Sequence, residues 1–174
     1  MTYAERLEKT AVLGAAGKMG SGIVLLTALE MADLGLDPAN RGRDFVLHAV
    51  DISEPALAGL LRYLRDQARK AAEKKAVWLR GAYADRPDLV ENAEIVDRYV
   101  EDVLAVVRPT TRLEAAFGAN VVFEAAVEGK KALEAYDIFA AAGGKNPVVV
   151  QGNGAVVKGL GKPDILMAKR IAQE

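Results

Sequence analysis

Short apolar runs alternate along the chain with segments whose apolar residues recur at steps of three and four, the signature of strands alternating with helices. Thr10 to Gly14 reads as a short buried strand, and Lys18 to about Asp33 as a helix. Its apolar residues Ile23, Leu26 and Leu29 do not fall on one clean face, as expected of a helix packed on a sheet. The segment Leu34 to Asp44, with Asp37-Pro38 and Arg41-Gly42-Arg43, is a longer loop than most connections from helix to strand. A second strand runs from Phe45 to Asp51 and ends in a carboxylate. Ser53-Glu54-Pro55 then reads as an N-cap and first turn. Leu57, Leu60, Leu61, Leu64, Ala68 and Ala71 carry that helix to about Lys75. Leu89, Ala93, Val96, Val100, Val103 and Val107 predict a second long helix pairing with the first, with Gly81 and Arg86-Pro87 in the turn. The result is a helical hairpin inserted at about 54–107. Beyond it lie a strand at Val106 to Thr110, a short helix from Arg112 to Phe117, and a nearly continuous apolar strand at Asn120 to Ala125. A helix at Gly129 to Ala142, a strand at Pro147 to Gln151 and a final helix from Pro163 to Glu174 complete the pattern.

The junction of the first strand and first helix carries the chemistry. Val12-Leu13-Gly14-Ala15-Ala16-Gly17-Lys18-Met19-Gly20 is a glycine ladder leading out of an apolar run and into a helix. Such a turn lets backbone approach a pyrophosphate, and the helix N-terminus adds N–H donors and a positive dipole end. Gly14 opens the turn, Gly17 allows the close approach, and Gly20 allows close packing of helix on strand. Asp51, at the end of the second strand, is placed to accept hydrogen bonds from the adenosine ribose. A carboxylate there disfavours a 2′-phosphate, and so favours NAD over NADP. Lys18 and Met19 complete the candidate set; the Lys18 ammonium either leans toward the phosphates or is simply exposed. Strand, glycine turn, helix, strand and acid in that order read as the first βαβ unit of a dinucleotide-binding domain. The fold expected is α/β, a Rossmann-type doubly wound parallel sheet with the long helical hairpin inserted, forming one domain over 1–174.

Composition narrows the partners. Hydrophobic residues make up 51% of the chain and aromatics 6%, giving an aliphatic core. With 23 basic and 24 acidic side chains the net charge is −1, so no global field favours nucleic acid or an anionic membrane. There is no cysteine, which excludes disulfides and thiolate chemistry. The charged N-terminus has no apolar signal core, and no apolar run is read as approaching membrane-spanning length, so a cytoplasmic location is expected. The single histidine, His48, sits within the second strand and reads as a packed strand residue; no metal site and no catalytic residue are assigned.

With these pieces in order, the chain resembles the N-terminal NAD-binding domain of the L-3-hydroxyacyl-CoA dehydrogenases, over roughly 9–157. The resemblance rests on Lys18-Met19-Gly20-Ser21-Gly22-Ile23, on the inserted hairpin, and above all on Asn120-Val121-Val122-Phe123-Glu124-Ala125-Ala126-Val127-Glu128. It implies NAD as cofactor, hydride transfer at C3 of a 3-hydroxyacyl-CoA, and a helical C-terminal domain that supplies a catalytic histidine and a dimer interface. It further implies that Glu128 and Asn153 lie near the nicotinamide and that Lys74 contacts coenzyme A. Arg62, Arg65, Arg69, Lys70, Lys74 and Lys75 form a basic run on that helix, which reads either as a coenzyme A contact or as a solvated face. The chain departs from the family pattern at Ala155, Leu133 and Gln67, and has no counterpart of the histidine motif. Its glycine turn is one residue longer than usual. The resemblance therefore implies a cofactor-binding portion incomplete for catalysis by itself, with self-association into a homo-oligomer. The alternatives are a non-catalytic dinucleotide-binding sensor or assembly module, or an NAD(P)H-dependent reductase of the dihydrodipicolinate reductase kind.

Overall fold

The computed structural model describes residues 2–125 and a strand at 148–151. Five parallel strands form one sheet: β1 (Lys9–Leu13), β2 (Val46–Val50), β3 (Val107–Thr110), β4 (Val121–Glu124) and β5 (Val148–Gln151). Their order is β3-β2-β1-β4-β5, so the chain winds outward from β1 in both directions. This is an α/β Rossmann-like fold, and the reversal of strand order creates a crevice beyond the C-terminal ends of β1 and β4. The edge strand β3 carries Pro109 within its four residues.

Among the described residues the helices are α1 (Tyr3–Leu7), α2 (Lys18–Leu36), α3 (Glu54–Lys74), α4 (Ala76–Ala82) and α5 (Asn92–Val106). All five pack on one sheet face in one core, with Val12, Leu47, Ala49, Val121 and Phe123 pointing into it from the strands. Ala11, Leu13, Val50 and Val122 point the other way, and among the described residues meet a 3-10 turn (Leu113–Ala116) and Ala119. Alternation along each strand divides the two cores.

The structure alters the sequence reading in four places. First, α1 is an extra helix that hydropathy does not signal. Its warrant is a capping box: Thr2 Oγ1 accepts from Glu5 N–H (3.3 Å) and Glu5 Oε2 from Thr2 N–H (2.7 Å). Second, α2 runs on to Leu36, and the loop after it begins with a 3-10 turn whose Asp37 side chain accepts from Ala39 N–H. Third, α2 is long and apolar enough to cross a membrane by length and composition, at a mean hydropathy of 1.4, which corrects the earlier reading of apolar runs. Here it lies against β1, α3 and α5, and a helix apolar all round suits that central place.

Fourth, the second half of the hairpin is not one helix. Gly81 lies inside α4, and Leu89 precedes α5, which starts only after Glu91. Glu94 Oε2 accepts from Glu91 N–H (2.8 Å) and Val90 N–H (2.9 Å), fixing that start. Lys75 separates α3 from α4 with a non-helical ψ of 24°. Instead of lining the basic face, its ammonium turns inward to Asp33 Oδ1 (2.5 Å), Asp33 Oδ2 (2.7 Å) and Tyr99 Oη (2.6 Å), and lies 4.3 Å from the Tyr99 ring centroid. One charged cluster thus pins α2, the α3–α4 break and α5 together. Burial, followed by hydrogen bonding to Asp33, pushes the Tyr99 phenol far above its usual range, so it remains a donor.

His48 is half-buried in β2 and pairs in register with Arg108 of β3. Burial, and secondarily the Arg108 charge, hold its pKa below 6.5. A folded-state pKa below the unfolded one favours the neutral ring, so its stabilising contribution is complete above about pH 6.5 and is lost as pH falls through the folded value. We expect the urea midpoint to drop between pH 7.5 and pH 5.5, and His48→Gln to flatten part of that drop. An unchanged pH profile in the variant would rule out His48 as a source of it.

Candidate functional site

The glycine turn is stitched to the end of β2. Gly14 N–H and Ala15 N–H both donate to the Val50 carbonyl (2.9 and 3.1 Å), and Gly17 N–H returns to Gly14 O (3.1 Å). Gly14 has φ +73°, a conformation open to glycine and strained for other residues. Gly17 is the N-cap of α2 with extended backbone, and a Cβ there would lie 3.3 Å from Gly14 O. Gly20 is tighter: a Cβ would fall 2.0 Å from Gly14 O and 2.8 Å from Gly14 C. The first turn of α2 therefore rests directly on the backbone of the turn before it.

Asp51 joins the same structure. Its Oδ2 accepts from Ala16 N–H (3.0 Å) and its Oδ1 from Ser53 N–H (3.2 Å), while its own N–H donates to Thr110 O (3.1 Å). The carboxylate bridges the glycine turn and the entry to α3, whose N-cap Ser53 accepts from Ala56 N–H (3.2 Å). Each oxygen retains acceptor capacity beyond its one protein donor. Asp51 is half-buried, with one side on the crevice rim.

Among the described residues the α2 N-terminus has no side-chain cap, and its first turn holds no acidic residue. The N–H groups of Lys18, Met19 and Gly20 are the donors an α-helix leaves without intrahelical partners. Gly17, Lys18 and Met19 are exposed around them, with Met19 at 52%. Uncapped helix donors, a turn without Cβ atoms at Gly14, Gly17 and Gly20, and a carboxylate bonded to Ala16 N–H form a donor set that fits a dinucleotide. Ile52, next to Asp51, is 96% exposed on the same rim. A large aliphatic side chain held that far into solvent beside the Asp51 carboxylate is a feature the sequence reading passed over. Its signal was an apolar residue between Asp51 and the Ser53 cap, where a loop carries polar ones.

The remaining sequence candidates fall elsewhere. Glu128 and Asn153 lie outside the described residues. Lys74 is exposed in the last turn of α3, a 21-residue helix, and so stands about 30 Å along that helix from Asp51. The structure groups Gly14, Gly17, Lys18, Met19, Gly20 and Asp51, and leaves Lys74 apart. Arg69 is taken by Asp97 (2.6 Å), and Lys75 by the inner cluster described above. Among the described residues no group of side chains is arranged to hold a metal ion.

No family model matches the sequence, and no curated protein matches it. Solved structures do share its architecture. The 3-hydroxybutyryl-CoA dehydrogenase of Escherichia coli K12 is 21% identical at a TM-score of 0.52, the match covering 96% of this chain and 36% of that one. The (S)-3-hydroxybutyryl-CoA dehydrogenase of Ralstonia eutropha is 19% identical at 0.51, covering 83% of this chain and 40% of that one. A diketoreductase is 21% identical at 0.50, covering 97% and 47%. The chain thus spans less than half the length of each. What it shares with them is the Rossmann-like α/β fold.

Proposed function

We propose that the chain is the NAD-binding portion of a 3-hydroxyacyl-CoA dehydrogenase-like oxidoreductase. The observation that carries this reading is the coupling of an uncapped, glycine-cradled helix N-terminus to a strand-end carboxylate, Asp51 bonded to the turn itself. The pyrophosphate would sit on the Lys18, Met19 and Gly20 N–H groups. Asp51 would accept the adenosine ribose hydroxyls, and Ile52 would cover one face of the adenine. Bound there, the nicotinamide would supply the hydride acceptor for oxidation of a secondary alcohol. The chain's own part is to bind and orient the cofactor and keep its phosphates in a fixed, dipole-stabilised cradle. The only histidine in the sequence, His48, lies within β2 beside Arg108, away from the crevice. Abstraction of the substrate hydroxyl proton is therefore assigned to a group that another region or domain contributes.

Calorimetric titration of the chain with NADH and separately with NADPH tests the reading. Saturable NADH binding is expected, with NADPH weaker by about tenfold because its 2′-phosphate would face the Asp51 carboxylate. Tighter NADPH binding would favour the dihydrodipicolinate reductase-like alternative. No binding of either would reduce the glycine turn to a structural element.

A further inference from the structure

We propose that the cavity at the N-terminal end of the sheet is a second binding site, taking a small amphiphilic oxyanion with a carboxylate or phosphate head on an apolar body. The cavity measures about 870 Å³ and lies opposite the glycine turn, between the C-terminal half of α2, the loop before β2, the turn after α4, and α5. Its size falls within the range of small-molecule sites. Its floor reaches the core through Met31, Ala32 and Phe45, all buried.

Five arginines and no lysine line the cavity: Arg41 and Arg43 from the loop, Arg86 from the turn, Arg98 from α5 and Arg108 from β3. A planar guanidinium presents paired donors that match carboxylate or phosphate oxygens, which an ammonium does not. Two of the five are braced from outside the cavity. Arg43 is held by Glu8 (2.5 Å), and Arg86 by both oxygens of Asp88 (2.9 and 2.7 Å); neither carboxylate lines the space. Arg98 is braced by Asp102 (2.9 Å), whose other oxygen accepts from Tyr83 Oη (2.5 Å). Among the described residues the Arg98 Nε is buried without an acceptor, Arg108 donates to the Ala105 and Val107 carbonyls, and Arg41 lies 3.9 Å from Asp85.

Four aspartates, 37, 44, 85 and 102, share the lining, so net field does not draw an anion in. The attraction is geometric: Arg43, Arg86 and Arg98 are held by their carboxylate partners, and the N–H donors those partners leave over cost little entropy to engage. Gly42 sits between Arg41 and Arg43 at φ +85° with open space where a Cβ would be, which keeps the mouth clear. This assigns a role to the long Arg-Gly-Arg loop that dinucleotide binding leaves unused.

Sodium octanoate, monooctyl phosphate, inorganic phosphate and 1-octanol, titrated into the whole chain and followed by amide NMR shifts, test the proposal. Saturable binding of octanoate or octyl phosphate is expected, with shifts at residues 35–45, 82–86 and 98–108, unchanged by saturating NADH; which binds tighter identifies the head group. Arg86→Gln should weaken it at least tenfold. Ala105→Trp, which fills space at the rim and alters no charge, should do the same while thermal melting shows both variants folded. Octanol binding equal to octanoate, inorganic phosphate equal to octyl phosphate, shifts confined to the glycine turn, or no binding at all would each overturn it.

Discussion

Gly20→Ala is expected to destabilise the fold by about 3 kcal/mol and to abolish NADH binding. The added Cβ would lie 2.0 Å from Gly14 O, 2.8 Å from Gly14 C and 3.0 Å from the Ala15 Cα. All three are backbone atoms of a turn already tied to Val50 O, so no flexible side chain can yield. Helix propensity alone pulls the other way, favouring alanine by about 1 kcal/mol. Overlap this deep wins over that preference. Either the helix start lifts off the turn or the turn breaks from β2, and both scatter the donors proposed for the pyrophosphate. Gly22→Ala is the matched control: nothing lies within 4 Å of a Cβ there, so only the propensity gain remains. Urea unfolding of the two variants side by side decides the matter. Equal stabilities would mean that Gly20 is not the contact that seats α2.

Asp51→Ala is expected to weaken NADH binding by about 10- to 100-fold, corresponding to the loss of charge-assisted bonds worth about 1.5–3 kcal/mol. NADPH should lose less, because the carboxylate that repels its 2′-phosphate is gone, and the preference between the two cofactors should narrow. The variant also removes the acceptor for Ala16 N–H and Ser53 N–H. Because Asp51 is only half-buried, water replaces much of that, and the folding cost should be about 1 kcal/mol. Calorimetry and urea midpoints on the same sample separate the two effects. Undiminished NADH affinity in a folded variant would leave Asp51 as a brace for the turn and nothing more.

That double duty was legible only in part. Sequence order placed Asp51 at the strand end facing the glycine turn, because strand, turn and strand follow one another in a βαβ unit. It could not give the bond from Ala16 N–H, which depends on how the turn folds back on the end of β2. The strands were readable because parallel strands are buried on both sides and therefore nearly continuous in apolar residues. The hairpin was harder. Leu89, Ala93 and Val96 keep helical spacing, yet Leu89 packs from an irregular segment, since periodicity records which side chains are buried and not what the backbone between them does. Lys75 looked like one more member of a basic face. Its inward turn requires Asp33 and Tyr99, which are distant in sequence and meet only when three helices pack. The arginine-lined cavity was similarly hidden, because its members come from four separated segments.

Pro109 has a further consequence. Thr110 O accepts from Asp51 N–H, so Thr110 faces β2 and the preceding residue's amide position faces outward from the sheet. Proline there removes the donor that an incoming strand would seek, and Arg108 beside it adds a charge that would have to be desolvated. Among the described residues this side of the sheet is a poor template. A border that weakens strand-on-strand aggregation also slows fibre growth from that edge: copies that meet along β3 find the Pro109 carbonyl but no donor beside it, and recognition between molecules there falls mainly to side chains.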